Sequence, residues 1–194
     1  MGDQVTSAGT ADDRKARFSR VYRSTRAEIL AYLLRRAPQR EDAADLLGEV
    51  YLAAWRRIDD VPEGDAARLW LYGVARRVLA NSYRRQRTVR NVAGVLRAEL
   101  IARDVAAIDT ADAKIVAVHD ALDALDADDR ELLTLTAWEQ LTPAEIAGMT
   151  GAAPGTVRVR LHRARARLRA ELARRGVVVS EEPARLLTEV DRAG

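Results

Sequence analysis

In the segment GTVRVRLHRARARLRAEL, residues 155–172, the apolar residues Val157, Leu161, Ala164, Leu168 and Leu172 recur three or four positions apart. At about 100° per residue they fall in one narrow stripe, so the segment is an amphipathic helix with one face in a core. Six arginines share the segment. Arg158, Arg165 and Arg169 line one edge of the stripe; Arg160, Arg163 and Arg167 line the other. Opposite the core lie Val159, His162, Ala166 and Ala170, where a merely solvated helix would carry its charge. Two basic rails beside a low ridge suit a nucleic-acid groove, the rails meeting phosphates and the ridge meeting base edges. An arginine-rich surface helix is the competing reading of this segment taken alone.

The residues just before it sharpen the picture. TPAE at 142–145 places Thr142 as N-cap, Pro143 at the first helical position and Glu145 where it closes a capping box. The short helix that follows ends near Gly151, GAAPG makes a turn, and Pro154 opens the arginine helix. A short capped helix, a tight turn and a longer basic helix form a helix-turn-helix.

Helical patterning continues elsewhere. One helix spans about 13–36, with Phe18, Tyr22, Ile29 and Leu33 facing inward, and Pro38 ends it. A second spans about 41–58, burying Ala43, Leu47, Val50, Ala54 and Trp55 or their near neighbours, with Glu41, Asp42 and Asp45 in its early turns. DDVPEGD is a loop, and a third helix spans about 66–87 around Leu71, Val74 and Val78. Two more cover 113–124 and, after Asp126 as N-cap, up to Glu139. Alanine, leucine and arginine dominate and β-branched runs are scarce, which favours an all-α chain. The expected architecture is two small helical domains joined by a linker, the second containing the helix-turn-helix. Its expected bounds are a disordered start over 1–12, a first domain over 13–87, a linker over 88–112, a second domain over 113–175 and a short tail over 176–194.

Charge is localised. The net charge is +3, yet residues 155–175 carry +7 and residues 76–90 carry +6, leaving −10 for the rest. Two basic surfaces on an otherwise acidic chain point to two nucleic-acid contacts and to separate acidic contacts. Cysteine is absent, which excludes disulfides and thiolate metal sites and fits a cytoplasmic location. No apolar run approaches a membrane span and MGDQVTSAGT is not a signal peptide, so no membrane insertion is expected. His119 and His162 are the only histidines, and neither belongs to a ligand set or a catalytic pair. No metal, cofactor or enzymatic activity is therefore expected.

The segment ALDALDADDRELLTLTAWEQLTPAEIAGMTGAAPGTVRVRLHRARARLRAEL closely resembles the promoter-binding domain of extracytoplasmic-function (ECF) sigma factors. EDAADLLGEVYLAAWRR followed by ARLWLYGVARRVLANSYRRQR resembles their amino-terminal domain. The two cover most of residues 14–175, in the family's order and spacing. The resemblance implies an alternative sigma factor that binds core RNA polymerase and directs promoter-specific initiation. It implies docking on the clamp helices of the largest polymerase subunit through Asp42, Asp45, Leu46, Glu49, Tyr51 and Leu52. Gly48 departs from the polar residue common at its position. The resemblance also implies that segments 59–66 and 68–87 hold the minus-ten element as a single strand, with Arg76, Arg77, Arg84, Arg85 and Arg87 as the basic track and Asn81 as a polar base contact. Trp70 and Tyr72 fit a core better than a stacking platform. In the second domain it implies minus-thirty-five recognition by Thr156, Arg158, Val159, His162 and Arg163, with Arg160 and Arg165 on phosphates. An anti-sigma protein is a further partner at the level of the family. The alternative is a stand-alone helix-turn-helix regulator, which would need a ligand domain or a dimer interface. A nucleic-acid-processing enzyme would need an acid cluster beside a basic segment, and the carboxylates lie mainly elsewhere.

Overall fold

The computed structural model describes the backbone of residues 3–37, 39–93 and 110–177, and the side chains of 11–37, 39–85 and 116–177. The described residues form helices and turns, in two compact units. The first contains α1 (Asp3–Leu34), α2 (Asp42–Arg56), a 3-10 turn (Ile58–Asp60) and α3 (Asp65–Ala93). The second contains α4 (Thr110–Asp123), α5 (Ala127–Ala137), α6 (Pro143–Thr150) and α7 (Pro154–Arg174).

Helix α1 is described from Asp3. No proline interrupts Asp3–Leu34, and an acid at its start complements the helix dipole. Helix α3 runs on to Ala93 and α4 starts at Thr110, inside the stretch expected as a linker. The span 88–93 contains neither glycine nor proline to stop α3. Pro38, residues 94–109 and the tail over 178–194 lie outside the described residues.

In the first unit α1, α2 and α3 pack pairwise around Ile29, Tyr32, Leu33, Val50, Ala54, Leu71 and Ala75. Phe18 and Tyr22 sit half-buried in an aromatic cluster with α2. Phe18 lies 5.4 Å from Trp55 and Tyr22 lies 4.7 Å from Tyr51, both edge-on, as ring quadrupoles favour. The inward face of α2 is corrected. Leu46 and Tyr51 are buried, Leu47 is only half-buried, and Trp55 is 37% exposed. Helical period admits either leucine as the inward one. Tyr51 decides the rotation, because its hydroxyl meets Thr25 Oγ1 at 2.8 Å inside the core.

Thr25 Oγ1 donates to the Val21 carbonyl at 2.6 Å, so the Tyr51 hydroxyl is the donor in the pair. Burial pushes the Tyr51 phenol above its ordinary value. A raised folded pKa favours the neutral phenol. Its stabilisation is therefore complete below the unfolded value near 10 and is lost as pH climbs through the folded one. Tyr51→Phe is expected to cost about 1 kcal/mol at neutral pH. In thermal melts between about pH 8 and about pH 11 the native chain should lose stability more steeply than Tyr51→Phe. Parallel curves would place the phenol in water.

The second unit follows its local signals closely. The Asp126 side chain caps α5 by accepting from the Asp129 amide at 2.8 Å. Arg130 closes the end of α4, donating to the Leu122 and Asp123 carbonyls at 2.9 and 2.7 Å. Thr142 and Glu145 form the reciprocal capping box, and Gly151, with φ of 73°, ends α6 in the left-handed region. Val157, Leu161, Ala164, Leu168 and Leu172 are all buried, and α7 packs on α4, α5 and α6 through them.

Candidate nucleic-acid and partner interfaces

With its inner stripe in the core, α7 must present the opposite face outward. Thr156, Arg158, Val159, His162 and Arg163 are all exposed, and Val159 is 51% exposed despite being apolar. The reading ridge expected for these residues is therefore one continuous surface on the first three turns.

The two rails are not equivalent. Arg160 pairs with Asp128 at 2.7 Å. Arg167 pairs with Asp126 at 3.2 Å and with Asp129, whose carboxylate is only 6% exposed. The hydrogen bond that Arg167 donates to the Asp129 carboxylate holds the guanidinium above its ordinary value, with charge attraction adding to it. These pairs close one edge of α7 onto the start of α5, in a cleft that Arg163 also lines. Arg165, expected on phosphate, is half-buried at the other edge. Arg158 and Arg169 are exposed on that edge, and among the described residues they and Arg163 have no ion pair. The free positive charge is thus smaller than the +7 of residues 155–175. Arg160 is part-occupied by Asp128, and Arg169 is more exposed than Arg165.

On α2 the docking set divides in two. Asp45 and Glu49 are exposed, Leu52 is 56% exposed and Asp42 is half-buried. Leu46 and Tyr51 are buried on the inner side of the helix, apart from the exposed members of the set. Trp55, assigned by its periodicity to the core, joins Leu52 at the surface. A Cβ at Gly48 would meet nothing within 4 Å, so the helix surface is open at that position.

On α3, Arg77, Asn81 and Arg84 are exposed on one side of the helix, and Arg84 donates to Asn81 Oδ1 at 2.6 Å. Arg76 is half-buried. Arg85 reaches α2 and pairs with Glu49 at 3.0 Å, joining a strand-track candidate to a docking candidate. The Arg87 side chain lies outside the described residues. Tyr72 is buried against Tyr32, their rings 5.3 Å apart, whereas Trp70 is half-buried beneath the Arg57 guanidinium at 5.7 Å. Among the described residues no group of three or more acidic, histidine or cysteine side chains could hold a metal ion. No described helix is long and apolar enough to cross a membrane.

A capped helix-turn-helix with an exposed basic reading ridge, on a chain whose other unit bears a basic helix and an acidic-apolar face, defines a DNA-binding protein of promoter recognition. Residues 21–89 match Sigma-70 region 2 and residues 115–168 match Sigma-70 region 4. The chain is 31% identical over 175 residues to the ECF RNA polymerase sigma factor SigL of Mycobacterium tuberculosis, covering 88% of this chain and 97% of that one. It is 32% identical over 152 residues to the RNA polymerase sigma-E factor of Streptomyces avermitilis, covering 78% and 83%. The fold is shared with the sigma factor RpoE of Bartonella quintana, solved in complex with the anti-sigma factor NepR, at a TM-score of 0.57 and 24% identity over 83% of this chain and 97% of that one. It is also shared with CnrH, solved with the cytosolic domain of CnrY, at a TM-score of 0.57 and 24% identity over 90% and 99%. The chain belongs to the ECF family of RNA polymerase sigma factors. It is an alternative sigma factor directing transcription initiation, with core RNA polymerase and promoter DNA as its partners. These similarities lend no support to a stand-alone helix-turn-helix regulator.

Proposed function

We propose that this sigma factor divides its work among three surfaces. The outer face of α2, with Asp45, Glu49 and Leu52 beside Trp55, docks on the clamp helices of the largest polymerase subunit. The loop before α3, together with Arg77, Asn81 and Arg84, holds the non-template strand of the minus-ten element. The ridge of Thr156, Arg158, Val159, His162 and Arg163 reads the minus-thirty-five duplex. The protein acts in the cytoplasm, by binding and positioning rather than by catalysis, and an anti-sigma protein is a further partner, as NepR is in its complex with the RpoE of Bartonella quintana.

The observation that carries the docking assignment is the pairing of opposite chemistries on one open helix face. Leu52 and Trp55 expose apolar surface next to Asp45, and Gly48 leaves the backbone between them uncovered. Apolar area rimmed by charge is the usual composition of an interface centre and rim. Asp45→Arg combined with Leu52→Glu is expected to weaken core-polymerase binding about tenfold or more, the effect of losing about 1.4 kcal/mol. Glu49 is left intact because it already holds Arg85. Titration of core enzyme with labelled protein measures this, and unchanged affinity would move the docking surface elsewhere.

A further inference from the structure

The loop between α2 and α3 has the wrong charge for a segment that lies against DNA. It carries Asp59, Asp60 and Glu63, and Asp65 begins α3. Carboxylates beside a phosphate backbone repel it. Two of them are neutralised within the first unit. Asp60 pairs with Arg57 at 2.9 Å, and Asp59 pairs with Arg14, which comes from α1, 45 residues earlier in the chain. One turn further along α1, Arg17 donates to the Val61 carbonyl oxygen at 2.5 Å. Ile58 and Val61 are buried beneath these contacts, so the loop is seated by apolar pegs and clamped from above. Arg14 also lies over the Trp55 ring, 5.9 Å from its centre, and Arg57 lies over Trp70.

We infer that Arg14 and Arg17 of α1 are positioning residues for minus-ten strand capture, fixing the backbone of loop 57–64 and cancelling one of its acidic charges. This rests on the proposal that the loop and α3 hold that strand. Apolar seating alone leaves a loop free to shift along the helix surface. A side-chain donor on a specific carbonyl, one residue beyond the 3-10 turn, sets where the following residues point. Gly64, with φ of 60°, then turns the chain into α3, so any error at Val61 is carried through the rest of the loop. Removing Arg14 has a second effect: it leaves the exposed Asp59 carboxylate without its counter-charge beside the incoming strand.

The test uses holoenzyme assembled from core polymerase and the full chain. The template is a promoter chosen by wild-type holoenzyme from a randomised library, with single-base variants across both elements. Arg17→Ala and Arg14→Asp are each expected to compress the minus-ten base preference by about fivefold or more, the low end for a displaced base contact. Preference at the minus-thirty-five element should stay unchanged in both variants, and affinity for core enzyme should stay unchanged in Arg17→Ala. Arg14→Asp combined with Asp59→Arg restores the ion pair in reverse and should recover most of the lost preference. This double variant keeps the test decisive if Arg17→Ala loosens the fold. A uniform drop in transcription with base preference intact would make both arginines merely structural and overturn the inference. A failure of the reversed pair to recover preference would remove Arg14 from it. If wild-type holoenzyme itself shows no minus-ten preference, the role of the loop in strand capture falls, and the tether falls with it.

Discussion

Leu168→Ala is expected to destabilise the second unit by about 2–5 kcal/mol, the range for a fully buried leucine whose cavity cannot collapse. Leu168 is wholly buried, at the centre of the α7 stripe. Helices α4, α5 and α6 all pack on α7, so its inner stripe is the core of the unit. Small domains are stable by only about 5–15 kcal/mol, which makes the loss a large fraction of the total. Hydrogen exchange measured on the full chain should show accelerated exchange through α7 while the amides of α2 are unchanged. Equal acceleration in both units would mean that they unfold as one. No acceleration in α7 would mean that its inner face is not the core of the unit. Promoter recognition at the minus-thirty-five element should fail together with the fold, although Leu168 touches no DNA in the proposed arrangement.

Arg158→Ala should behave in the opposite way, leaving the fold intact and changing what is read. Arg158 is exposed beside Thr156 and Val159, and among the described residues it has no ion pair. An arginine aligned with a guanine contributes about 1–3 kcal/mol of discrimination at one base pair. Arg169→Ala, two to three turns further on, should weaken binding to all sequences alike. It should also reduce the salt dependence by about 0.9 in slope, one phosphate's worth. Arg160→Ala should have a smaller effect than either, because its guanidinium already satisfies Asp128. Transcription by holoenzyme on single-base promoter variants at two salt concentrations separates these outcomes. If Arg158→Ala and Arg169→Ala lose activity uniformly and identically, α7 is an electrostatic rail and not the reader.

Both predictions depend on α7, yet they draw on different levels of information. Its buried stripe follows from period alone, because residues three or four apart must share a face of any α-helix. The capping box at Thr142 and Glu145, the Asp126 cap and the left-handed Gly151 are equally local, each depending on residues within a few positions of one another. Such features could be read along the chain, and together with the two family motifs they determined the all-helical fold, the helix-turn-helix and the sigma-factor function. The rotation of α2 was not local. Leu46 and Leu47 satisfy the same period, and Tyr51 reaching Thr25 across 26 residues selected between them. That choice turned Trp55 outward beside Leu52 and so made the docking face partly apolar.

Charge was the least legible property. A count of arginines measures how much positive charge a segment holds, but not how much of it remains free. Asp128 and Asp129 lie more than thirty residues before Arg160 and Arg167, and only the packing of α5 against α7 brings them together. The same holds for Glu49 with Arg85 and for Asp59 with Arg14. Ion pairs form wherever tertiary packing places opposite charges within reach, whatever their separation in sequence. The amino-acid sequence by itself determined which helices form, which face α7 buries and which family the chain joins. The tertiary structure decided which arginines stay available to DNA, because availability depends on neighbours that the fold, and not the chain order, supplies.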